Sequence, residues 1–169
     1  TRALTLDIAT LDLRPPGASL SVKGDNYTRY KVTVTNGGVL RVGEYTYDGA
    51  GLGSMAVNTG YWTLNNGRLE ITKESDGTFG NGLTVAAGGG AVEVVNAGST
   101  MSITADDTHN IQLNGALTIT GAGNMITGSD NAFRGTGRLI KDGSGTLTLA
   151  NSSSFTGGVE LKGGTLIVS

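Results

Sequence analysis

Cysteine is absent from this chain, which excludes a small secreted scaffold held together by disulfides. Charged residues make up only 15% of the sequence and leave a formal net charge of −2, with acidic and basic side chains scattered. That pattern gives no electrostatic footprint for nucleic acid or anionic lipid. Charges are nevertheless too few, and aliphatic residues too many, for a disordered tail. No run approaches eighteen apolar residues, so no transmembrane helix is expected. Helix itself has little support, because candidate windows break on glycine and the apolar positions alternate instead of recurring at three and four. The chain opens on "TRALTLDIAT", without a methionine or a leader, and closes on the apolar strand "GGTLIVS". It therefore reads as a piece of a longer chain.

Glycine is what the sequence has in excess, with 29 residues against only 2 prolines. No Gly-X-Y period accompanies it, so collagen is excluded. Glycine instead opens a short unit in which two aliphatics follow, separated by one position. The unit appears as "GVLRV" (38–42), "GRLEI" (67–71), "GAVEV" (90–94), "GALTI" (115–119), "GTLTL" (145–149) and "GTLIV" (164–168). Near-variants are "GLTV" (82–85), "GRLIK" (137–141) and "GVEL" (158–161). Period-two alternation predicts strands with one buried face, Leu147 and Leu149 pointing inward and Thr146 and Thr148 outward. Leu117 and Ile119 are placed inward around Thr118 in the same way.

Units recurring about every 20–30 residues predict an all-β, right-handed parallel β-helix, or β-solenoid, with about three short strands per turn. A glycine-rich antiparallel sandwich is the alternative. In the β-helix, glycines mark corners, aliphatics fill the bore, and corner asparagines are expected to form ladders, each amide bonding its neighbours above and below. Lys141 falls in the inward phase of its unit, so it is expected at a corner with its ammonium reaching water. Residues 1–36, with the Pro15–Pro16 break, fit the pattern less well. They are read as an N-terminal β segment, a cap or irregular first turns, with the β-helix turns proper over 37–169.

Few residues invite chemistry. "TADDTHN" (104–110) holds Asp106, Asp107 and the single histidine, His109. Clustered aspartates serve β-helix polysaccharide hydrolases, and acidic groups bind calcium in some lyases. The same stretch reads as a solvated polar corner, since adjacent strand residues face opposite sides. Asp130 and Asp142 sit in turn contexts, where aspartate caps backbone amides. No GxSxG, HExxH, Walker or EF-hand pattern is present. The expectation is therefore no catalytic residue, no cofactor and no metal. Tyr27, Tyr30, Tyr45, Tyr47, Tyr61 and Trp62 all lie in the first 62 residues. They either fill or cap a wider bore, or offer exposed rings to sugars and protein partners.

Residues 135–168, "GTGRLIKDGSGTLTLANSSSFTGGVELKGGTLIV", closely resemble the passenger-associated transport repeat of bacterial autotransporters. The matching positions are Gly135, Gly137, Leu139, Lys141, Gly143, Gly145, Leu147, Leu149, Asn151, Phe155, Thr156, Gly157, Gly158, Gly164 and Leu166. Departures are small: Ala150 replaces a frequent glycine, an extra serine lengthens the step from asparagine to the aromatic, and Val159 replaces a usual threonine. "GALTITGAGN" (115–124) looks like a degenerate earlier copy.

The resemblance implies a passenger of the type V secretion pathway, exported through the outer membrane of a Gram-negative bacterium to the cell surface. Its implied partner is its own C-terminal outer-membrane β-barrel, which this chain does not contain. A host surface protein or glycan, or another passenger copy, is a further implied partner, while nucleic acid and direct membrane insertion of this segment are not. The implied role is a non-catalytic stalk that supports adhesion or self-association and promotes its own secretion and folding. A secreted β-helix polysaccharide lyase or hydrolase acting through Asp106, Asp107 or His109 is the alternative.

Overall fold

Wherever glycine leads into alternating aliphatics, the chain runs extended. A computed structural model describes residues 2–7, 10–13, 30–42, 60–72, 74–79, 82–103 and 110–169, and among these it forms nineteen strands and no helix. The strands fall into three sheets, taken here as the faces of one stack. The first face holds β1 (Arg2–Asp7), β3 (Tyr30–Thr35), β5 (Gly60–Asn65), β8 (Gly82–Val85), β11 (Ile111–Leu113), β14 (Phe133–Gly135) and β17 (Ser154–Phe155). The second holds β2 (Thr10–Leu13), β4 (Val39–Val42), β6 (Gly67–Ile71), β9 (Gly90–Val94), β12 (Leu117–Gly121), β15 (Leu139–Lys141) and β18 (Val159–Leu161). The third holds β7 (Gly77–Phe79), β10 (Thr100–Ile103), β13 (Asn124–Thr127), β16 (Thr146–Leu149) and β19 (Thr165–Val168).

Each described pairing is parallel, from β1 with β3 to β16 with β19. From β5 onward the chain visits the three faces in order and then begins again beside its previous rung. This is a parallel β-helix; the antiparallel sandwich does not form. β1 and β2 pair with β3 and β4 in the same two sheets that carry the later turns.

Strict register sets the core. On the second face Leu40, Leu69, Val92 and Ile119 follow one another up a single column, and all are buried. Met101, Met125 and Leu147 do the same on the third face, and Trp62, Leu83, Ile111 and Phe133 on the first. Burying one such side chain contributes about 1.5–3 kcal/mol before conformational entropy is set against it. On the first face the outward residues of these turns are polar, as in the column Thr33, Thr63, Thr84 and Gln112. One solvated face explains why these parallel strands alternate rather than reading as continuous apolar runs.

The second face carries an ion-pair cluster on its outer surface. Glu70 accepts from Arg41 Nε and lies 2.7 Å from an Arg68 nitrogen, while Arg68 also reaches Glu93 at 3.5 Å. Glu70 and Glu93 stand side by side in register, a like-charge placement that Arg68 offsets.

Two expectations need correction. The six full glycine-led units are not one series. Those beginning at Gly38, Gly67, Gly90 and Gly115 lead onto the second face, as do the near-variants at Gly137 and Gly158, whereas "GTLTL" and "GTLIV" build the third face. A glycine followed by alternating aliphatics suits any corner that opens a strand, so the pattern does not encode which face it feeds. The asparagines likewise do not stack amide on amide among the described residues. Three of them bond the backbone of a neighbouring turn instead: Asn65 Oδ1 accepts from Gly88 N at 3.2 Å, Asn96 Nδ2 donates to Thr72 O at 2.6 Å, and Asn124 Oδ1 accepts from Thr146 N at 2.9 Å. Asn36, Asn66 and Asn131 also take positive φ at corners, a conformation asparagine tolerates better than most residues.

Candidate functional site

The segment from Gly135 to Val168 completes one turn and adds the next. Its inward aliphatics Leu139 and Leu147 are fully buried, and Leu149 nearly so. Phe155 packs edge-on against Phe133 of the turn below, with ring centroids 6.1 Å apart and planes at 72°, a favoured aromatic geometry.

Glycine matters here through close approach. Gly145 sits on Gly123, and a Cβ built on Gly145 would fall inside contact distance of the Gly123 carbonyl oxygen. Gly137 is placed in the same way over Gly115, and Gly157 over Gly137. The resemblance of 115–124 to the later repeat therefore has a geometric counterpart, since its glycines lie directly beneath those of the repeat.

Lys141 is the exception in the bore. Its register partners are Ile119 and Leu161, so it occupies the column held by aliphatics in the turns below. The residue is 1% exposed. Contrary to the expectation from the sequence, the ammonium does not reach water. It turns instead into the corner and donates to the carbonyl oxygens of Asp142, Gly143 (3.1 Å) and Gly163 (3.4 Å). The reason is chemical: a lysine nitrogen carries three donors, and the corner backbone presents three acceptors nearer than bulk water.

Burial pushes the Lys141 amine below its usual value, an effect that the nearby Asp142 carboxylate partly opposes. With the folded value below the unfolded one, the unfolded chain binds more protons between the two. Folding stability from this group is therefore lowest below the folded value and rises with pH up to the ordinary lysine range near 10.5. We expect a positive slope of stability against pH on the alkaline side that disappears in Lys141→Met, measured by denaturant unfolding at a series of pH values.

Two aspartates tie corner groups in place, Asp142 within the repeat and Asp130 just before it. Asp142 Oδ1 accepts from Gly143 N at 2.8 Å, and Asp130 Oδ1 accepts from the Ser152 amide and hydroxyl at 3.1 and 2.9 Å. Both aspartates serve backbone or corner groups, as their turn contexts predict. Gly143, Gly158 and Gly164 take positive φ, as does Gly135. Asn151 is half-buried at the corner after β16.

Sequence reasoning missed one tie. Thr127 is buried in the bore, and its hydroxyl accepts from Ala150 N at 2.8 Å. The available signal was a threonine in the inward phase of "NMIT".

Asp106, Asp107 and His109 lie outside the described residues, as do Tyr27, Tyr45 and Tyr47. Among the described residues, no three acidic or imidazole side chains are grouped to hold a metal ion. Trp62, 5% exposed, lines the bore. Tyr30 and Tyr61 have described strand positions only.

Comparison with known proteins bears on the same segment. Residues 139–168 match the family described as the passenger-associated transport repeat. The chain is also 36% identical over 150 residues to a protein named "Adhesin BmaC autotransporter" from Brucella suis biovar 1 (strain 1330). That alignment covers 88% of this chain and 4% of the relative. No solved structure matches.

Proposed function

This chain is autotransporter passenger sequence carrying a passenger-associated transport repeat, and from that premise we propose that it is a non-catalytic stalk segment displayed on the surface of a Gram-negative bacterium. It supports adhesion or self-association, and its repeat promotes the secretion and folding of its own chain through a C-terminal outer-membrane β-barrel. Strands β1 and β2 belong to the first turns of the stalk rather than to a separate domain, a reading that their pairing with β3 and β4 supports.

One observation carries the proposal. The transport repeat occupies consecutive rungs of a parallel stack, and its backbone, glycine corners and bore all continue those of the turn below. A newly exported turn of this kind needs only an edge to pair with, so assembly proceeds from neighbour to neighbour without an external energy source. The relative's designation as an adhesin supports the adhesive half of the reading.

The test removes residues 139–168 from the full parent protein in its native host and follows surface display by protease accessibility. Display is expected to fall severalfold, together with any cell clumping or attachment. Unchanged display would refute the secretion role, and clumping that persists without the segment would refute self-association. Replacement of Asp106, Asp107 and His109 is expected to leave display intact. Loss of a glycan-cleaving activity in those variants would overturn the non-catalytic reading.

A further inference from the structure

Lys141 stands where every described turn below it places an aliphatic residue, and its ammonium is enclosed by backbone. The enclosure belongs to two successive corners. Asp142 and Gly143 contribute carbonyls from the lysine's own corner, and Gly163 contributes one from the corner above. Gly143 and Gly164, stacked at equivalent places in those corners, both have φ of +71°, a left-handed conformation that glycine adopts without steric cost. Gly164 is required for a second reason: a Cβ there would press on the carbonyl oxygens of Gly143 and Gly145, beside the lysine nitrogen. The aliphatic stem fills the bore between Ile119 and Leu161.

We propose that these corners form a recognition site for a primary alkylammonium ion, which the chain fills with its own lysine, so that Lys141 acts as a tethered ligand fastening the last turn to the one beneath. The chemistry is specific. Three carbonyl oxygens converge on one point, matching the three donors of a primary ammonium. The stem's register neighbours Ile119 and Leu161 are both apolar and suit a short alkyl chain. Hydrogen bonds to a charged donor are stronger than neutral ones, and here they offset part of the desolvation that lowers the amine's pKa, so that losing any of them is costly. In contrast to the surface pair of Arg138 with Glu160, which links the same two turns at 3.1 Å and is open to screening, this tie is shielded from salt.

Chemical rescue tests the site. Lys141→Ala removes three methylenes and the ammonium, the outline of n-propylammonium. Adding n-propylammonium chloride to the variant is expected to raise its unfolding midpoint saturably, above the level reached in equimolar tetramethylammonium chloride, and to leave the unsubstituted chain unmoved. Equal effects of the two salts on the variant would overturn the proposal. Lys141→Met covers the case in which the alanine variant does not fold, because it keeps the stem's bulk without the charge. Its Thr165 amide, which donates to Gly145 O at the base of β19, is expected to exchange with solvent at least tenfold faster. The Leu117 amide, bonded to Arg138 O in the adjoining turn, is expected to keep its protection. An unchanged Thr165 exchange rate in Lys141→Met would equally refute the fastening role.

Discussion

Replacing Leu147 by aspartate is expected to abolish cooperative folding of the last two turns and, in the parent protein, to reduce surface display severalfold. Leu147 is completely buried, with Met125 below it and Leu166 above in the same column. Truncating a buried leucine to alanine costs about 2–5 kcal/mol, and aspartate adds a carboxylate with no partner in the bore. Whole domains are stable by only about 5–15 kcal/mol, so this single change removes much of the available margin. Leu149→Asp is expected to be milder. That residue is 7% exposed, and Thr127, beneath it when the register of β13 with β16 is continued, brings a hydroxyl close by. Protease-resistant display and thermal unfolding measure both variants. Normal behaviour of both would contradict the inward orientation of this strand.

Alanine substitutions at three glycines are expected to separate close approach from backbone conformation. Gly145→Ala drives a methyl group into the Gly123 carbonyl of the turn below, and because both atoms belong to backbone held in register, neither yields without lifting the turns apart. A loss of about 1–3 kcal/mol, typical of overpacking, is expected. Gly158 has φ of +77° with nothing within 4 Å of an added methyl, so alanine there meets only left-handed strain of about 1–2 kcal/mol. Gly98 has open space and no positive φ, and alanine is expected to be neutral or to stabilise by about 0.4–1 kcal/mol. Thermal midpoints should therefore fall in the order Gly98, Gly158, Gly145. A Gly145→Ala midpoint equal to that of Gly98→Ala would show that the corners are not in contact.

Much of the architecture was legible because a solenoid is local. The alternation around Leu117, Ile119, Leu147 and Leu149 fixed which side chains enter the bore, and each of the four is buried. The glycine spacing fixed where the chain turns. Register was less accessible, since it depends on which turn lies beneath which, and insertions vary the turn length. Leu40 and Leu69 are neighbours across 29 positions, whereas Leu139 and Val159 are neighbours across 20. Lys141 was harder still. Its inward phase is visible in "GRLIK", but the carbonyls that receive it come from Asp142, Gly143 and Gly163 backbone, and backbone acceptors leave no mark in side-chain identity. The asparagines misled for a related reason: the amides of Asn65, Asn96 and Asn124 satisfy main-chain groups one turn away, which a count of asparagines does not distinguish from mutual stacking.

The parallel pairing of every face has a mechanical consequence. Hydrogen bonds between rungs run along the stack's long direction, so tension applied between its two ends loads them head-on and in sequence, rather than all at once as in shear. Such a fibre yields by peeling a terminal coil at modest force. Each coil of about 20 residues occupies only about 4.8 Å while seated but spans up to about 70 Å when drawn straight. Anchored at one end and pulled at the other, it would lengthen more than tenfold and dissipate a sudden load.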